Sequence, residues 1–226
     1  MSRLPLPRRF LYAPSGVLVA LAVLASAALG IASAQTIAAT PQGNEGPGAV
    51  LRLNSTSNAA ACTRFSENGS FSDDAVQACS RALQRENLNP VNLVATHINR
   101  GNMYLRRQEG EAALADFDAV ALLAPRNAEA RLNRGVALIM LERFGPAVAA
   151  ITEALSLGVT DPHKAYYNRG AAREALDDIR GAYEDYSTAL EIEPDWGPAN
   201  AELQRIARVR QEWLASLIQN DESETQ

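Results

Sequence analysis

Between residues 91 and 195 the apolar and polar positions recur at a spacing far longer than the period of a helix or strand. Asn-Arg-Gly triplets stand at Asn99-Arg100-Gly101, Asn133-Arg134-Gly135 and Asn168-Arg169-Gly170, 34 and then 35 residues apart. Counted from each Gly, a small residue falls twelve positions on (Ala113, Ala147, Ala182) and a large one sixteen on (Phe117, Ile151, Tyr186). A third apolar residue falls nineteen on, at Val120, Ala154 and Ala189. Small, large and small residues one turn apart describe a tightly packed helix. Pro125 and Pro194 close the outer two units, and the middle one has its proline three residues late, at Pro162. A period in this range marks stacked supersecondary units, each too small to bury its own apolar face. Beyond them Ala199, Leu203, Ile206, Trp213 and Leu217 recur at spacings that make an amphipathic helix of about five turns, over 198–219.

The pattern resembles the tetratricopeptide repeat, a helix–turn–helix unit whose helix A carries the Gly and whose helix B carries the Ala and the aromatic. That resemblance implies an all-α solenoid of stacked antiparallel hairpins, with repeats over about 91–125, 126–161 and 162–195 and the last helix as a cap. The first repeat matches through Tyr104, whereas Leu138 and Arg173 hold that position in the next two, so the third helix A should pack less apolar surface there. Each Gly lets helix A approach helix B closely, since a mid-helix Gly otherwise costs about 1 kcal/mol.

A degenerate hairpin over 59–90 precedes the regular repeats. Counting back from Pro90 makes Asp73–Arg85 its helix B, with Ser72 as N-cap, and leaves Ala59–Glu67 for a short helix A before the turn Asn68-Gly69-Ser70. Cys62 and Cys79 lie symmetrically about that turn, so an antiparallel hairpin sets them opposite each other as a structural disulfide. The spacing is not that of a redox-active C-x-x-C pair.

The N-terminus reads as an export signal over residues 1–34. Arg3, Arg8 and Arg9 precede an uncharged run from Ser15 to Ala28, and Ala32-Ser33-Ala34 offers a cleavage site before Gln35. The run is short for a membrane span, which needs about 20 apolar residues. The expectation is a periplasmic or secreted protein with no membrane insertion after cleavage; retention of the signal as an anchor is the alternative. Residues 35–58 are rich in Gly, Pro, Ser, Thr and Asn, a flexible leader, and 220–226 form an acidic tail. Without its first 34 residues the chain keeps 18 basic and 26 acidic groups, a net charge of −8 with Lys164 its single lysine. That balance lacks the basic stripe nucleic acid binding requires.

Catalytic chemistry finds no foothold in the sequence. His97 and His163 are the only histidines and neither has a second ligand one turn away, so no metal site or cofactor is expected, and an enzyme is a third alternative for which the sequence nominates no residues. The triplet arginines read as scaffold: Asp116 and Asp185 lie fifteen residues after their Gly, giving Arg100–Asp116 and Arg169–Asp185 pairs within a hairpin. Ala150 holds that position in the middle repeat, which leaves Arg134 to find Glu153 or Asp116.

Stacking brings Asn99, Asn133 and Asn168 into a row on helix A, and the resemblance implies a concave groove lined by that helix. Such amides can bond the backbone of an extended peptide; a purely structural role is the alternative. Tetratricopeptide domains that clamp a C-terminal carboxylate use five polar residues, of which Asn102, Asn133 and Lys164 match, while Ile98 and Asn168 replace two cations. The expectation is a non-catalytic scaffold binding a peptide or helix of an envelope or secreted partner. Self-assembly through the last helix into a homo-oligomer is the rival.

Overall fold

The computed structural model describes residues 57–224, with side chains to 215; the signal, its cleavage site and nearly all of the expected leader lie outside these residues. The described residues form nine helices and no strand. The first hairpin pairs α1 (Asn58–Glu67) with α2 (Asp73–Arg85). Three regular hairpins follow: α3 (Pro90–Arg106) with α4 (Gly110–Leu123), α5 (Ala128–Met140) with α6 (Phe144–Leu157), and α7 (Pro162–Ala175) with α8 (Ile179–Ile192). The last helix, α9, runs Gly197–Glu224. Each helix B packs on its own helix A and on the next one, and α3, α5 and α7 also touch in succession. The architecture is an all-α solenoid.

Local chemistry sets the boundaries. Ser57 and Ser72 accept hydrogen bonds from Ala60 N (3.1 Å) and Ala75 N (3.3 Å), capping α1 and α2. Asn89 and Asn127 cap α3 and α5 in the same way, and Pro90 and Pro162 sit in the first turns of their helices, where a missing N–H is harmless. The leader ends one residue earlier than expected, because Ser57 makes Asn58 helical. At the other end α9 continues through Asp221 and Glu222 to Glu224, so the expected acidic tail is helical over 220–224. No Gly or Pro follows Pro198 to stop it.

The glycine register works as a steric slot. A Cβ on Gly101 would sit 2.9 Å from Phe117 Cζ, one on Gly135 2.4 Å from Ile151 Cγ1, and one on Gly170 2.8 Å from Tyr186 Cε1. Each glycine therefore admits the large residue sixteen positions on. Seven residues after each Gly the chain turns through a left-handed backbone, at Gln108 (φ 61°), Glu142 (φ 57°) and Asp177 (φ 65°). In the first hairpin Gly69 (φ 67°) makes that turn, and the residue seven before it is Cys62. Cys62 is bonded to Cys79 with 4.7 Å between their Cα atoms. A covalent bond thus replaces the contact between Gly and a large residue in this hairpin, where Ala75 and Met103 pack around it.

The arginines fasten repeats to one another. Arg100 Nε and Nη2 donate to Asp116 at 2.9 and 2.7 Å, and Arg169 holds Asp185 in the same fork at 3.0 and 2.7 Å. Their remaining nitrogens reach the preceding repeat, at Ser80 Oγ (3.0 Å) and Thr152 Oγ1 (3.2 Å). Arg134 takes neither expected partner. Ala150 leaves no carboxylate at the position that Asp116 and Asp185 hold, Glu153 is held by Arg131 (2.7 Å), and Asp116 by Arg100, so Arg134 Nε donates to Asp118 of the preceding repeat at 2.6 Å. Arg173, in the Tyr104 position, turns onto Asp185 at 3.0 Å instead of adding apolar surface. Such pairs fix register more than they add stability.

At the C-terminal end Tyr167, Tyr186 and Trp196 gather around Ala199, Leu203 and Ile206 of α9. Arg205 of α9 donates to Glu174 Oε2 at 2.6 Å and to Glu202 Oε2 at 2.7 Å, tying the cap to α7. Among the described residues no helix is long and apolar enough to cross a membrane.

Candidate functional site

The polar row of the A helices is built by register. Asn99 and Asn102 on α3, Asn133 on α5 and Asn168 on α7 are only 6, 7, 1 and 1% exposed. The open ladder of amides expected from sequence is therefore corrected: the row is buried and partly closed on itself. Asn133 Nδ2 donates to Asn102 Oδ1 at 2.9 Å, and Ser66 Oγ on α1 donates to Asn99 Oδ1 at 3.1 Å. Neighbouring A helices come close enough for their amides to bond each other, a contact that no single-helix pattern encodes.

The row is not fully satisfied. Among the described residues, three buried side-chain atoms lack a hydrogen-bond partner: Asn133 Oδ1, Asn168 Nδ2 and Glu129 Oε2. Native structures pair nearly all such atoms, so each one needs a reason. All three belong to α5 or α7, and Glu129 stands one turn before Asn133, on the same face of its helix. Sequence reasoning did not single out Glu129; its offset of four from Asn133 was the available signal.

The other proposed groove residues divide. Lys164 donates to Asp161 Oδ2 at 2.8 Å, so its charge is already engaged, and Ile98 packs against the apolar core. Of the five positions of a carboxylate clamp, the structure brings Asn102 and Asn133 into contact and leaves a single cation, tied to a carboxylate.

Both histidines have structural settings. His97 holds its Nδ1 2.8 Å from Asp116 Oδ1 and joins the Arg100 cluster on the B-helix side. His163 meets the edge of Trp196 at 4.9 Å between ring centroids. Burial is the main influence on His163 and lowers its pKa below the ordinary imidazole value, with Asp161 opposing. Burial, then the charge of Glu174, raises the Tyr186 phenol well above its usual value. Among the described residues no group of His, Cys, Asp and Glu could hold a metal ion.

No family model matches the chain. It is 35% identical over 107 residues to RNA polymerase II-associated protein 3 of Xenopus laevis, an alignment covering 47% of this chain and 16% of that protein. The chain thus spans less than a fifth of that relative. Among solved structures it is similar to the first TPR domain of Spaghetti (RPAP3) bound to the HSP90 peptide SRMEEVD. The match has 28% identity and a TM-score of 0.51, covering 56% of this chain and 98% of that one. MamA shares the fold at 22% identity and a TM-score of 0.57, over 66% of this chain and 84% of that one. With the glycine slots, the stacked hairpins and these likenesses in agreement, the described residues have the tetratricopeptide-repeat fold.

Proposed function

We propose that this protein is a non-catalytic scaffold that holds an extended peptide segment of a protein partner against the α3–α5–α7 face. The observation that carries this reading is the unpaired acceptor on Asn133 and unpaired donor on Asn168 of the next helix, the two hydrogen-bonding roles that a peptide unit complements. The likeness to a TPR domain bound to a peptide supports it. A buried polar atom without a partner is costly in the free protein, so a ligand that reaches it recovers that cost. The signal-like N-terminus supports a site of action in the periplasm or outside the cell, and intact-mass measurement of the exported protein tests that through loss of residues 1–34.

Capture of peptides tests the groove. Immobilised mature protein should retain members of an equimolar library of acetylated, C-terminally amidated heptapeptides. Asn168→Ala removes a donor that bonds nothing in the free protein. It should lower capture several-fold, the worth of one hydrogen bond of about 0.5–1.5 kcal/mol, with little change in thermal melting. Equal capture by Asn168→Ala and the unaltered protein would overturn the reading. A self-assembling module is the second reading, favoured by Val209 and Leu214 standing exposed on α9. Light scattering on dilution, before and after removal of residues 205–226, separates the two.

A further inference from the structure

The unpaired atoms of the A-helix face are unequal in charge, and that inequality bears on what the face can hold. Two are acceptors, Glu129 Oε2 and Asn133 Oδ1, and one of these belongs to a carboxylate; the single donor, Asn168 Nδ2, is neutral. The other oxygen of Glu129 accepts from Thr160 N at 2.7 Å, so the side chain reaches from the start of α5 to the loop that opens α7. Asp161 follows in that loop and holds Lys164 at 2.8 Å. Two carboxylates and one ammonium therefore stand where α5 and α7 begin, and among the described residues Glu129 makes no ion pair of 4.0 Å or less. Arg131, two residues along α5, turns away from this point to Glu153 and to the Pro125 carbonyl.

A C-terminal carboxylate is poorly matched to this arrangement, because its only cation is already paired and Ile98 and Asn168 supply none. A cationic group is matched well. We propose that the face formed by α5 and α7 selects an extended segment bearing a Lys or Arg side chain. The basic group bonds Glu129 Oε2, while a backbone N–H bonds Asn133 Oδ1 and a backbone C=O bonds Asn168 Nδ2. The spacing is consistent: one turn of α5 separates Glu129 from Asn133 by about 6 Å of rise. Alternate residues of an extended strand are about 7 Å apart. The basic residue therefore stands about two positions from the peptide unit that the amides hold. Excess acidic charge over the whole chain, −5 with its N-terminal arginines included, steers a basic segment toward it. This inference rests on the peptide-binding reading and deepens it.

Sequencing the retained heptapeptides position by position tests it. The unaltered protein should enrich Lys and Arg at one position by about tenfold, the gain of one charge-assisted hydrogen bond. Glu129→Gln keeps an oxygen for Thr160 N and should abolish that enrichment, lowering retention of basic peptides to the level of neutral ones. Glu129→Lys should shift the preference at that position to Asp and Glu. Capture without basic enrichment, or enrichment that survives in Glu129→Gln, overturns the cation assignment alone. Failure to retain any peptide overturns the groove reading as well, so the two failures are distinguishable.

Discussion

Replacing Gly135 by Ala tests the steric slot at its tightest point. The added Cβ would lie 2.4 Å from Ile151 Cγ1, 3.1 Å from its Cδ1 and 3.4 Å from the Ala147 carbonyl oxygen. Carbon atoms in contact prefer about 3.5–4.0 Å, so the helices must part by roughly 1 Å or Ile151 must leave its rotamer. Ile151 has no free space to enter: it is fully buried among Val136, Ala147 and Ala154. Overpacking of this kind costs about 1–3 kcal/mol. Ala returns about 1 kcal/mol of helix propensity, so the net loss should be up to about 2 kcal/mol. At Gly101 and Gly170 the same change meets ring edges at 2.9 and 2.8 Å, and the losses should be smaller. Urea unfolding followed by circular dichroism, with the disulfide intact, measures the three variants. Ile151→Ala removes the clashing atom, so Gly135→Ala with Ile151→Ala should be more stable than the sum of the single changes, by about 0.5–3 kcal/mol of coupling. A Gly135→Ala protein more stable than the original, or strict additivity with Ile151→Ala, would refute the slot.

Three other outcomes follow from particular residues. Glu142 holds a left-handed backbone at φ 57°, and Glu142→Gly should raise stability by up to about 1 kcal/mol as relief of strain outweighs lost chain entropy; an unchanged or lower urea midpoint contradicts this. Reducing Cys62–Cys79, a separation of 17 residues, should cost about 3 kcal/mol, with amide exchange rising first in α1 and α2, and thiol titration of denatured, unreduced protein should find none free. Burial lowers the folded pKa of His163, so the unfolded chain binds more protons just below pH 6.5 and this residue's contribution to stability falls as pH drops through that window. An NMR titration placing the His163 midpoint at or above 6.5 would reverse that sign.

What could be read from the sequence divides by the range of the interaction. The hairpins were legible because Gly, Ala and a large residue keep fixed offsets within one unit, and Phe117, Ile151 and Tyr186 do meet their glycines. Cys62 and Cys79 were legible for the same reason, from symmetry about one turn. Contacts between units were not. Arg134 reaches Asp118 because Ala150 vacates its own hairpin, and the choice among carboxylates depends on how repeats stack. Burial of Asn99, Asn102, Asn133 and Asn168 follows from the closeness of successive A helices, which also pairs Asn133 with Asn102. Gln108, Glu142 and Asp177 carried no glycine signal for their left-handed turns, although each lies seven residues after a repeat Gly. The extra length of α9 was missed because its last residues look like a solvated tail, while nothing in them breaks a helix.

The central claim is that this scaffold binds an extended peptide on its A-helix face, and the contacts of a bound peptide test it most directly. Nuclear Overhauser contacts would be measured between the most strongly retained amidated heptapeptide and the isotope-labelled protein. The expected result is peptide backbone protons close to the side-chain amide of Asn168 and to neighbours of Asn133 on α5, with the α4, α6 and α8 outer surfaces silent. Saturable binding whose contacts fall on those B helices, or on α9 alone, would contradict the account.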